Sequence, residues 1–380
     1  MLHNPLATIT YSNGSAVITA LGGTVEVSAP AFDLLEAMLE AWRGPSDALL
    51  AGFLSYDLAT EIEDLGPVPA PDFTFPQFYF ALYDSALTFE KDQWRHSATT
   101  AWPTPPGLRS RPDRAAFEAS VERIVATIRA GDIFQTNLSQ RFEAPLTESP
   151  WSLYRRLRRL NAAPFAALME LPEAAILSAS PERFLRVDGQ GHVQTRPIKG
   201  TSPRGIGPEH DAALGQALTE SAKDRAENLM IVDLMRNDLS RVCLPGTVRV
   251  PELFALERYA TVHHLVSTVV GDLEPGRTPL DLLRAAFPGG SITGAPKVRA
   301  MEIIAELEPS RRSVYCGSLG YWSLSGELDT SIAIRTVIVR GGRIYFNAGG
   351  GIVADSNPEQ EYRETLDKAR GIIDALRTPS

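Results

Sequence analysis

Strands and helices mix along this 380-residue chain without strict βαβ alternation, so the sequence predicts an α+β fold rather than a doubly wound parallel sheet. No fixed-period repeat runs through it. Hydrophobic residues make up 44% and charged residues 22%, which is ordinary for a folded globular protein and wrong for a disordered one. The length allows one large domain or two to three smaller ones.

The first hundred residues read as short strands around one helix, with helical spacing over 32–39. A proline-rich connector at 102–107 marks a boundary between an N-terminal part, 1–108, and a larger part, 109–380. Beyond it Phe117, Val121, Ile124, Val125 and Ile128 form one amphipathic stripe, with Pro112 suiting the start of the helix and Gly131 its end. Segment 133–142 switches to period two. Phe134, Leu138 and Phe142 share a core face, and Gln135, Asn137 and Ser139 share a polar one that, taken alone, is expected to meet solvent.

Segments 167–174, 176–187 and 191–200 read as strands and turns. A helix is expected over about 211–235 and another over 296–307, opened by Pro296. Strands are expected at 317–322, 332–339 and 343–347. The last helix starts at Asn357-Pro358, a good cap and first position, and runs to 376.

The net charge of −9 argues against a nucleic-acid or anionic-membrane binder. Two cysteines, Cys243 and Cys316, leave no room for a disulfide framework or a cysteine-rich zinc site. The start lacks a basic segment followed by an apolar core, and no apolar run reaches the roughly 18 residues of a membrane span. A cytoplasmic location is the expectation.

Four constellations carry chemistry. Asp224 and Glu227, and again Glu361 and Glu364, lie three apart on helical segments, so each pair shares a helix face. Like charges at that spacing repel, and a bound Mg²⁺ would relieve them; from the spacing alone two solvated helix faces are the commoner case. Lys199 follows Arg196 and precedes Arg204 in what reads as a loop, and three such cations would receive a carboxylated substrate. Neighbouring cations and burial lower a lysine's pKa and make it a nucleophile, although an exposed loop lysine is the commoner case. The glycine-rich stretch 287–297 leads into a helix whose free amides suit an anion, and it lacks the Gly-Lys-Ser/Thr ending of a Walker loop. Gly349-x-Gly351-x-x-Ala354 is followed by a turn, so a close backbone approach to a ligand, or a plain turn, fits better than a dinucleotide site. The run Arg155, Arg156, Arg158 and Arg159 reads as a solvated helix face.

In chain order, SASPERF, RPIKGT, DRAENLMIVDLMRNDLSRV, VHHLVST, FPGGSITGAPKVRAMEII, YCGSLGY, IAIRT and GGGIVADSNPEQEYRET resemble the chorismate-utilising enzymes, over about 117–373. The first hundred residues match loosely and look short beside that family's N-terminal part. The resemblance implies a layered α+β sandwich, two sheets with helices outside and the pocket between them. It implies a Mg²⁺-dependent reaction on chorismate, with Glu227 and Glu364 as direct ligands and Asp224 and Glu361 in support. Arg335 and Tyr315 match residues that hold the enolpyruvyl carboxylate. Thr293, Gly294 and the amides of Gly349, Gly350 and Gly351 complete the pocket, and Lys368 matches a lysine near the metal carboxylates. His264 matches a histidine implicated in anthranilate synthases.

Within the family, a lysine at the position of Gln135 activates water; glutamine there argues against a water-adding member. Lys199 stands where anthranilate synthases usually have alanine, which is the pattern of component I of the aminodeoxychorismate synthases. The resemblance then makes Lys199 the nucleophile and Glu182 the general acid. Ammonia would come from a separate glutamine amidotransferase, since no Gly-x-Cys-x-Gly elbow is present. An anthranilate-forming member and a non-catalytic chorismate-binding subunit remain the alternatives.

Overall fold

The computed structural model describes residues 2, 4–42, 48–84, 105, 107–259 and 262–377. Apart from residues 105 and 107, the proline-rich connector falls outside them. The N-terminal part contributes β1 Ala7–Ser12, β2 Ser15–Ala20, β3 Gly23–Ser28, α1 Ala31–Ala41, β4 Leu49–Leu54 and β5 Phe78–Tyr83. There follow β6 Arg109–Arg111, α2 Arg114–Arg129, β7 Gln135–Pro145, α3 Pro150–Leu160, β8 Phe165–Leu171, β9 Ala174–Ser180, β10 Arg183–Val187, β11 His192–Arg196 and β12 Ile198–Pro203. The rest comprises α4 Pro208–Glu220, α5 Ala222–Ser240, β13 Arg249–Arg258, β14 Val262–Asp272, α6 Pro279–Ala286, β15 Gly294–Ala295 and α7 Lys297–Leu307. It closes with β16 Ser318–Ser323, β17 Leu328–Ile332, β18 Thr336–Arg340, β19 Arg343–Ile352 and α8 Pro358–Arg377.

Two antiparallel sheets form. One runs β12-β14-β11-β10-β17-β16-β4-β5-β1-β2-β3, with β13 also on β14; the other runs β15-β7-β19-β18-β9-β8, with β6 also on β7. The N-terminal strands extend the first sheet through β4, whose Leu54 faces Ser318 of β16. Phe53, Tyr79, Ile176, Val314, Leu319 and Ile338 fill the space between the sheets. Helices α1, α5 and α6 cover the outer face of the first sheet with Phe32, Leu35, Ile231, Met235 and Leu283. Helices α3 and α8 cover the second with Leu153, Leu157, Ala369 and Ile372. This is the predicted α+β sandwich of two sheets with helices outside. No helix among the described residues is long and apolar enough to cross a membrane.

Several local expectations are corrected. The helix expected over 211–235 is two helices: Ser221 ends α4 and caps α5, its hydroxyl accepting from Asp224 N at 3.2 Å. The strand expected over 332–339 is also two, β17 in the first sheet and β18 in the second, with Arg335 at φ 50° between them. The strand expected to end at 347 continues through Gly349–Gly351, so those glycines are strand and not turn. Lys199 lies on a strand, not in a loop. The polar face of β7 is buried, with Gln135 1% exposed and Ser139 2%, because the second sheet packs it inward. Phe134, expected in the core, is 71% exposed because it precedes β7 and its amide is already tied to Ala295 O. Arg156 is buried, paired with Glu148 and donating to Ala375 O at 2.8 Å, and so is no solvated side chain.

Candidate active site

The site forms where β7, β12 and β19 meet the N-terminal parts of α5 and α8. Lys199 sits on β12 beside Gly200, whose φ of 87° favours glycine. A Cβ at Gly200 would lie 3.0 Å from Asp224 Oδ1, so α5 packs directly on the strand. That packing carries Glu227, one helical turn on, to Lys199: Nζ stands 3.3 Å from Oε2, with both side chains largely buried. Arg196 and Arg204 do not join it. Arg196 pairs with Glu257, and Arg204 forks onto Asp211 at 2.7 and 2.6 Å. Of the expected trio only Lys199 faces the site, and it too is paired, with Glu227.

β19 forms the opposite wall. A Cβ at Gly351 would overlap Gln135 Nε2 and come 2.7 Å from Lys199 Nζ, so only glycine lets both side chains reach this point. A Cβ at Gly350 would lie 3.2 Å from Glu364 Oε1, 3.4 Å from Glu361 Oε2 and 3.6 Å from Lys368 Nζ. Asn357 accepts from Gln360 N at 3.1 Å and starts α8 so that these three side chains face the strand. Lys368 Nζ is 2.6 Å from Glu364 Oε1 and donates to Gly349 O at 2.9 Å. Glu361 is buried and accepts from Ser356 Oγ at 2.6 Å. Gln135 Oε1 is buried with no hydrogen-bond partner among the described residues, an acceptor left for a ligand.

Burial sets the protonation states. It pushes the Glu182 carboxyl up to about 7, against the opposing pull of Ser291 Oγ, which donates to Oε1 at 2.7 Å, and of Lys199 and Lys368. Burial also raises Glu361, and the neighbouring Glu364 adds to it. The Lys368 ammonium lowers Glu364. His264 is pulled down to about 4 by burial and then by Arg335, so its imidazole is neutral, with Nδ1 3.0 Å from Thr201 Oγ1. The Arg335 guanidinium has no hydrogen-bond or ion-pair partner among the described residues, with Glu182 acting on it only through space, which leaves its fork available to a carboxylate. The buried hydroxyl of Tyr315 stays protonated, its pKa raised well above the usual value by burial. Thr293 Oγ1 closes its own turn on Gly289 O at 3.0 Å, so its side chain holds the loop.

Residues 1–374 match the family model of the chorismate binding enzymes. The chain belongs to that family. It is 45% identical to aminodeoxychorismate synthase component 1 of Salmonella typhimurium, across 99% of this chain and 89% of that protein. It is 40% identical to anthranilate synthase component 1 of Thermus thermophilus, across 97% of this chain and 87% of that one. The crystal structure of anthranilate synthase component I from Streptococcus pneumoniae superposes with a TM-score of 0.85 at 32% identity, covering 98% of this chain and 91% of that one.

The chain is therefore an enzyme of this family acting on chorismate. Its fold brings Lys199, Gln135, Glu227, Glu364, Lys368 and the three glycines to one place, with Glu182 in electrostatic reach of Lys199 and Lys368. It does not gather the four acids: among the described residues no three His, Cys, Asp or Glu side chains are grouped to hold a metal. They remain two pairs, with Lys199 on Glu227 and Lys368 on Glu364. The donor set itself, carboxylate oxygen throughout, fits Mg²⁺. Sequence reasoning missed Ser291, which holds the Glu182 carboxyl, and Arg312, buried behind Tyr315. The sequence carries no local signal for Arg312, since the approach to YCGSLGY at 308–313 is polar and Arg311 stands beside it.

Proposed function

We propose that this chain is the synthase component that replaces the 4-hydroxyl of chorismate with an amino group, giving 4-amino-4-deoxychorismate for p-aminobenzoate and folate synthesis. The observation that carries it is the placement of Lys199 against Gly351, on the pocket wall and facing Glu227. The Lys199 amine attacks ring carbon 2, both ring double bonds shift, and the 4-hydroxyl leaves as water with the proton of Glu182. Ammonia then attacks carbon 4, both double bonds shift back, and the lysine departs. The Glu182 carboxylate takes up the proton that this second displacement releases. Attack from one face at both steps retains the configuration at carbon 4.

Arg335 and Tyr315 receive the enolpyruvyl carboxylate, and the Gly349–Gly351 strand orients the ring. Glu227 and Glu364, supported by Asp224 and Glu361, would hold Mg²⁺, which supplies positive charge to orient the ring carboxylate. A glutamine amidotransferase partner supplies the ammonia, as the words "component 1" in the relatives' names suggest.

Incubation with chorismate, Mg²⁺ and ammonium salt tests the reading. The expected product is non-fluorescent and yields p-aminobenzoate only after a lyase is added. Fluorescent anthranilate without a lyase would overturn it in favour of 2-amination, the activity named for the Thermus and Streptococcus relatives.

A further inference from the structure

Arg312 has a side chain 1% exposed and lies outside every motif assigned to the chemistry above. Each of its three nitrogens donates. Nε donates to Glu308 Oε2 at 2.9 Å, and Nη2 donates to Glu308 Oε1 at 2.7 Å. Nη1 donates to Ile292 O at 3.0 Å. Nη2 also reaches Asn137 O at 3.2 Å and Asn137 Oδ1 at 3.3 Å. The guanidinium lies 4.8 Å from the Tyr56 ring centre and 5.7 Å from that of Tyr315. Glu308 Oε1 in turn accepts from Ser139 N at 2.8 Å.

These contacts converge on the pocket's supports. Ile292 precedes Thr293 and Gly294, and Thr293 O accepts from Asn137 N at 2.7 Å. Gly294 pairs with Thr136, next to Gln135. Arg312 therefore grips both partners of this junction on the peptide groups beside the ones that join them, and it lies against Tyr315. Glu308 alone neutralises its charge; the two carbonyl contacts add nothing to charge balance and fix position. A lysine offers three donors at one point and cannot serve Glu308, Ile292 and Asn137 together.

We infer that Arg312 is a positioning residue for chorismate: it sets the Thr293-Gly294 loop and the Gln135–Asn137 segment relative to Tyr315. The inference rests on the chorismate reading but not on which carbon is aminated.

The test is steady-state consumption of chorismate with ammonium as donor, in wild type, Arg312→Lys and Glu308→Gln, with rates normalised to folded protein. Chorismate consumption is indifferent to the product, so formation of anthranilate would sink the 4-amination reading and leave this test intact. The expected result is a chorismate KM raised about tenfold or more in Arg312→Lys, the scale that a small misplacement produces. The ammonium KM and the kcat per folded molecule stay within about threefold. Glu308→Gln keeps the guanidinium and both carbonyl contacts, so its chorismate KM stays within about threefold of wild type despite lower stability. If Arg312→Lys shows an unchanged chorismate KM, with loss of rate tracking the folded fraction, the role is structural only and the inference fails. Equal KM increases in both variants overturn it as well. Should Arg312→Lys not fold, Glu308→Gln decides alone: an unchanged KM supports positioning by the arginine, and a tenfold rise overturns it.

Discussion

Lys199 Nζ stands 3.3 Å from Glu227 Oε2 and 2.7 Å from where a Cβ would sit on Gly351. The lysine thus bridges the two sides of the pocket, the α5 face and the β19 wall. A charge-pairing explanation for the lysine would need only Glu227. A side chain on Gly351 would force the Lys199 amine and the Gln135 amide to shift, which fits an amine placed to reach a substrate lying along the strand.

Lys199→Ala is expected to abolish 4-amination or divert the chain toward anthranilate, because ammonia meeting carbon 2 directly gives the 2-amino isomer. The rate of 4-amino product falls by at least about a hundredfold, the scale of losing a covalent route. Product chromatography with ammonium as donor checks this, and a wild-type rate of 4-amination in the variant would refute the covalent step.

Gly351→Ala places a methyl group against Gln135 and Lys199. Both contacts are with the far ends of flexible side chains, so the stability cost is about 1 kcal/mol, the low end for overpacking. Here the displaced groups are the proposed nucleophile and the Gln135 amide, so kcat/KM for chorismate falls about a hundredfold or more, a larger effect than the stability loss. Gly326→Ala is the control: its Cβ would meet nothing within 4 Å, although its φ of 97° strains any side chain. A kcat/KM for Gly351→Ala as high as for Gly326→Ala would refute the close-approach argument.

Local signals were legible in the sequence and sheet-level ones were not. The α2 stripe, the Pro296 start of α7 and the Asn357-Pro358 start of α8 are written in neighbouring residues, and they stand in the structure with small shifts. Ser221 was legible too, as a Ser-x-x-Asp start before Asp224, but helix-favouring residues on both sides masked the break. The apolar run 332–339 could not reveal that its halves join different sheets. The polar face of β7 is buried because Glu308, Arg312 and Lys199, all distant in sequence, lie at it, a fact no period-two pattern contains. Glu182 and Ser291 are 109 residues apart, and only the folded chain brings the hydroxyl to the carboxyl. Motif resemblance supplied the site residues that spacing left open. It did not supply Arg312, whose contacts exist only in the assembled core.

Glu364→Gln removes one member of the Glu361–Glu364 pair while keeping its size. Glu361 loses a repelling neighbour, and the proposed Mg²⁺ site loses a ligand. The Mg²⁺ concentration for half-maximal activity is expected to rise about tenfold or more, within the range seen when groups supporting a metal are lost. Titration of activity with Mg²⁺ at fixed chorismate checks this. Unchanged half-saturation would remove Glu364 from the site, and the ion pair with Lys368 would be its whole role.

Glu182→Gln should flatten the pH dependence of stability. Burial holds the Glu182 proton up to about pH 7, whereas the ordinary value is 4.5. Between these values the folded chain keeps a proton that the unfolded chain has released. The stability from the neutral carboxyl is therefore fully present below pH 4.5 and is lost as pH rises through about 7, by up to about 3 kcal/mol in all. Asp238, raised to about 6 by burial, adds a loss in the same direction. His264, lowered to about 4, contributes stability present above 6.5 and lost as pH falls through 4. Both groups remain in the variant, so the difference between wild type and Glu182→Gln isolates Glu182. Urea midpoints measured at pH 5 and pH 8 should fall more for wild type than for the variant. Equal falls would mean that Glu182 titrates as an ordinary carboxylate, and its fitness as the acid for the departing hydroxyl would fall with it. In the same variant, the glutamine cannot protonate the leaving group, and turnover with ammonium should drop by about 10²–10⁴-fold.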